Sequence, residues 1–150
     1  MSFRALPLAL ALIVTPLFAA DHAHHAVPQE QRAAIHLTTE EKAHIHQEMR
    51  LFLSVTQKIV ASAAANDMKK VAESAREAGM AAAHEVPAKL REKLPMQFKK
   101  LGQATHQGFD DLARDADSLG DANHALRQLG QVMDNCVSCH AVYRIETGKR

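Results

Sequence analysis

Cys136-Val137-Ser138-Cys139-His140 sets two thiols and an imidazole side by side late in the chain. The spacing C-x-x-C-H is the attachment signature of c-type haem. Its two thiols add to the haem vinyl groups, and the His beside the second Cys is carried under the ring, where imidazole binds iron. No other cysteine exists in the sequence to compete for either role. One covalently attached haem c per chain is therefore the expected cofactor, held by Cys136 and Cys139, with His140 as the proximal iron ligand. Other uses of the thiols fit less well. A redox dithiol belongs at a helix N-terminus in βαβ surroundings, and a structural zinc ion needs four ligands where this cluster offers three crowded ones.

Residues 1–20 read as a secretory signal peptide. Arg4 gives a positive start, Ala5 to Val14 are uncharged and apolar, and Leu17-Phe18-Ala19-Ala20 offers a small-residue cleavage site. The stretch is too short, and too interrupted by Pro7 and Pro16, for a membrane span. Export and motif support each other, because bacteria attach haem to C-x-x-C-H outside the cytoplasm. A periplasmic protein with no membrane span after cleavage is expected.

The chain beyond the signal is long enough for one domain. The formal charge is +1, with cations and anions mixed, which gives no basic face for nucleic acid. One Tyr, no Trp and an abundance of Ala, Leu, Glu, Lys and Gln favour helices. Nothing reads as a strand, so the expected class is all-α.

Residues 21–37 form a polar, His-rich lead broken by Pro28, expected to be flexible. Thr38 and Glu41 make a capping box that opens a first helix, running to about residue 65. Asp67 caps a second, which ends before Val86-Pro87. Pro95 suits the start of a third, closed by Gly120. Asp121 caps a fourth, which carries the haem motif and is expected to end near Glu146, leaving residues 147–150 as a tail. Residues 88–94 read as a turn or short helix.

Apolar spacing orients these helices. The first offers Ile45, Met49, Phe52, Thr56 and Ile59. The third offers Phe98, Leu101, Thr105, Phe109, Leu112 and Ala116. The fourth offers Leu126, Leu129, Val132 or Met133, Cys136 and His140. Small residues line the second: Val71, Ala72, Ala75, Ala78, Gly79 and Ala82. Short links make antiparallel neighbours, and four such seams predict an up-down-up-down four-helix bundle over residues 38–146.

Cys136-x-x-Cys139-His140-x-x-Tyr143-Arg144 on the last helix of an exported four-helix domain resembles the class II c-type cytochromes, cytochrome c′ and its low-spin, methionine-ligated relatives. Common small cytochromes c carry the motif near the N-terminus instead. The resemblance covers about residues 38 to 146. The short link between the second and third helices departs from many relatives and leaves one haem edge less covered.

The resemblance implies that the distal position over iron belongs to the first helix. Met49, on its inward seam, is the expected sixth ligand; the competing reading is that it only fills the core. Tyr143 and Arg144 are expected beside the haem, Arg144 or Arg50 pairing with a propionate. Phe52, Phe98 and Phe109 read as core. Met80 and His84, four apart, could meet copper but read better as surface or interface. The resemblance and the small residues of the second helix also imply a homodimer or weak dimer.

The function expected is one-electron transfer between redox partner proteins, without an enzyme activity. Two alternatives stay open. One is a five-coordinate, cytochrome c′-like site binding nitric oxide or carbon monoxide; the weaker one is metal capture by the His-rich N-terminus around His22, His24 and His25.

Overall fold

The computed structural model describes residues 30–148. The expected signal peptide and the His22, His24 and His25 group lie outside the described residues. Helices dominate, in the order β1 (Ala33–Leu37), α1 (Thr39–Ala64), α2 (Met68–Arg76), α3 (Met80–Ala83), α4 (Ala88–Lys93), α5 (Met96–Leu119), α6 (Ala122–Val142) and β2 (Tyr143–Thr147). No helix among the described residues is long and apolar enough to cross a membrane.

Local chemistry sets most helix ends. Thr38 Oγ1 accepts from the Glu41 amide at 3.2 Å, and Glu41 Oε2 accepts from the Thr38 amide at 3.0 Å, completing the capping box. Asp67 accepts from the Lys70 amide, and Asp121 accepts from the Asn123 and His124 amides. Gly120 stops α5 at φ 64°, a left-handed conformation that costs glycine nothing.

The second predicted helix breaks in two. Gly79 leaves the helical region, and a Cβ added there would fall on the Asp110 carboxylate of α5. That carboxylate accepts from the Met80 amide at 2.9 Å and so starts α3. A side chain from another helix thus decides the break.

Two strands correct the reading that the chain has none, and the flexible lead and the fourth helix change with them. β1 and β2 pair in parallel, Ala33 opposite Tyr143 and Leu37 opposite Thr147. The alternation of apolar residues explains the strands: Ile35 and Leu37 point to one face, and both are buried. α6 stops at Val142 because Tyr143 takes an extended conformation to enter this pairing.

The main core joins α1, α2, α5 and α6. It includes Phe52, Val55 and Ile59 of α1, Val71, Ala72 and Ala75 of α2, Phe109 and Leu112 of α5, and Leu129 and Val132 of α6. A second cluster under the strands gathers Ile35, Leu37, Ile45, Leu90 and Leu94. Met49 packs against both clusters. The small residues of α2 are spent inside the chain: Val71, Ala72, Ala75 and Ala78 are fully buried.

Candidate functional site

A cleft of about 340 Å3 opens between three helices, within the size range of small-molecule and cofactor sites. α6 supplies Met133, Cys136, Cys139 and His140. α1 faces them with Met49, Phe52, Leu53 and Thr56, beside Glu48. Phe98, Gly102 and Thr105 of α5 close the third side. The four residues predicted to hold the haem and its iron, Met49, Cys136, Cys139 and His140, thus converge on one space.

Helical geometry accounts for the α6 wall. Cys136 and Cys139 are three apart and His140 is four from Cys136, so all three share one face. Both thiols are free and half-buried, and His140 is exposed. Burial raises the pKa of each thiol above its ordinary value, and in Cys139 the neighbouring Cys136 adds to the rise. A reactive redox dithiol needs the opposite shift. Among the described residues, no group of three or more His, Cys, Asp or Glu side chains is placed to hold a metal ion, which leaves the motif without a zinc-like cage.

The walls fit a large apolar ring. Thr105 turns its hydroxyl back onto the Leu101 carbonyl at 2.9 Å, so it makes no demand on an occupant. Gly102 has open space where a Cβ would stand. Leu53 is 71 % exposed and Met133 44 %, both in the cleft lining. Exposed apolar side chains gathered at a cleft are the kind of surface that partner proteins, membranes or ligands cover.

The remaining expected residues fall elsewhere. Arg144 lies on β2, where its Nε donates to the Arg32 carbonyl at 3.1 Å and its Nη1 meets Glu146. It is committed to the strands rather than to the cleft, because α6 ends before it. Tyr143 meets Phe98 edge-on at 5.8 Å and so stands behind the cleft wall. Arg50 is exposed on α1 and away from the lining. Phe52 and Phe109 are core, stacked at 5.8 Å, whereas Phe98 belongs to the cleft. Met80 and His84 line a neighbouring cleft of about 360 Å3 and take no part in this one. His36 pairs with Glu146 at 3.6 Å across the strands.

Sequence reasoning missed Glu48 and His106. His106 is 3 % exposed on α5, with Nδ1 2.8 Å from the Ala78 carbonyl and Nε2 3.2 Å from Glu48 Oε1. Burial opposes its charge, but the bonds to Glu48 and Ala78 outweigh that and hold its pKa above the ordinary histidine value. Each residue stands next to a seam position, Met49 or Thr105; that adjacency was the available signal. No family model, curated protein or solved structure matches this chain.

Proposed function

We propose that this protein is an exported monohaem cytochrome of the class II c-type kind, carrying single electrons between partner proteins. The observation that carries the reading is the convergence of Met49 on Cys136, Cys139 and His140 across one apolar cleft. We read α1, α2, α5 and α6 as an antiparallel four-helix bundle. The short links from α1 to α2 and from α5 to α6, together with the shared core, support that arrangement.

Cys136 and Cys139 would anchor a haem by thioether bonds, and its iron supplies one-electron chemistry when bound. His140 offers an imidazole from α6, and Met49 offers a thioether from the opposite wall. A thioether is a soft ligand that favours the reduced metal and raises the potential. Phe52, Leu53, Phe98 and Met133 give the site apolar walls that a bound haem would cover. His140 and Met49 would both be available to hold the iron, which would supply electron transfer without a change of ligand.

Absorption spectra of the purified ferric and ferrous protein test the axial ligands. The sulfur-to-iron band of His/Met haem is expected in the ferric form, with slow carbon monoxide binding in the ferrous form. A high-spin ferric spectrum with free access for carbon monoxide would instead favour the five-coordinate gas-binding alternative.

A further inference from the structure

His106 grips the turn of α1 that presents Met49. Its Nε2 reaches Glu48 Oε1, and its ring packs against Phe52 with centroids 5.1 Å apart. Glu48 and Phe52 are one helical turn apart and flank Met49, so a single α5 side chain holds both neighbours of the expected distal ligand. The other ring nitrogen is fixed by the Ala78 carbonyl, just where α2 gives way to α3. His106 therefore ties α1, α5 and the α2–α3 junction at one buried point.

Glu48 is also the one carboxylate among the described residues of the cleft wall. A free carboxylate there would face an apolar occupant and carry a desolvation cost. The contact with His106 Nε2 at 3.2 Å gives it a partner on α5, and its side chain is 16 % exposed.

We propose that His106 is a positioning residue for the distal wall: by holding Glu48 and Phe52 it fixes the turn of α1 that presents Met49 to the haem iron, and it gives the Glu48 carboxylate a partner. The inference rests on the haem reading above and adds to it which residue aims the sixth ligand. His106 does not line the cleft, so it would act only through α1.

The test uses the haem-loaded protein. His106→Phe keeps an aromatic ring against Phe52 and removes both hydrogen bonds. It is expected to lose most of the sulfur-to-iron band and to bind carbon monoxide about tenfold faster, the rate equivalent of one lost hydrogen bond. His106→Gln, which still donates to Glu48, should restore much of the band. In a Met49→Ala background, His106→Phe should change the carbon monoxide rate no further, since no thioether remains to be aimed. An unchanged band and rate in His106→Phe, with only a lowered melting temperature, overturns the inference and leaves the haem reading standing. A haem-bearing wild type without the band overturns the Met49 ligation and this inference with it, and favours the five-coordinate alternative. Where His106→Phe does not accumulate, Glu48→Gln carries the test: a weakened band supports the proposal and an unchanged one overturns it.

Discussion

Arg144 donates from Nε to the backbone carbonyl of Arg32 at 3.1 Å, joining residues 112 positions apart in sequence. Arg32 returns the contact from Nη1 to the His140 carbonyl at 3.4 Å. The segment before α1 is thereby fastened to the end of the helix that carries Cys136-x-x-Cys139-His140. Parallel pairing of β1 with β2 extends the fastening along five residues of each strand.

Ile35→Asp should break this clasp, because Ile35 is 4 % exposed and a carboxylate there finds no partner. A loss of about 3 kcal/mol is expected from the buried charge. Ala33→Asp, on the exposed first position of β1, should stay within about 0.5 kcal/mol of the parent. Urea unfolding of both variants checks this; equal midpoints would show that the strands contribute nothing.

Gly79→Ala should destabilise the protein by about 2 kcal/mol, since the new methyl meets the Asp110 carboxylate. The same change would improve a continuous helix, so the sign of the effect separates the two conformations. Greater stability in the variant would mean that the α2–α3 break is not held by Asp110.

His106 predicts a pH dependence. Its folded pKa is raised above 6.5 by Glu48 and Ala78 against the opposing effect of burial. The stabilisation is therefore complete below that value and fades as pH rises through the higher folded pKa. The slope cannot exceed about 1.4 kcal/mol per pH unit for one proton. Unfolding midpoints between mildly acidic and alkaline pH should fall for the wild type and fall less for His106→Phe. Parallel curves would show that the imidazolium contributes nothing to stability.

Helix ends were legible in the sequence where a residue acts on its own neighbours, as at Thr38, Asp67, Asp121 and Gly120. The inward seams of α1 and α5 were legible too, because a period of 3.6 is local. The break at Gly79 was not, since Asp110 on α5 enforces it. The strands escaped for the same reason. Each has five residues, and their alternation becomes meaningful only beside a partner more than a hundred residues away. In the cleft, the shared face of Cys136, Cys139 and His140 and the inward place of Met49 were legible because both follow from the local helical period. Arg144 was misplaced because a helical extrapolation ran past Val142, and the His106–Glu48 pair lay just off the seams.

Met49→Ala and Met80→Ala separate the two candidate thioethers. Met49 stands in the cleft with the cysteines, and Met80 in the neighbouring one. Met49→Ala should abolish the sulfur-to-iron band, lower the reduction potential and admit carbon monoxide rapidly. Met80→Ala should leave all three properties alone. If the two variants behaved alike, the cleft would not define the coordination.

Covalent attachment is the most direct test of the central claim. The exported protein, extracted with acid-acetone, should keep its colour in the protein fraction. Its intact mass should equal the polypeptide plus one haem, and a Cys136→Ala, Cys139→Ala double variant should lose that increment. A wild-type mass equal to the bare polypeptide, with haem in the organic phase or none at all, would contradict the cytochrome reading.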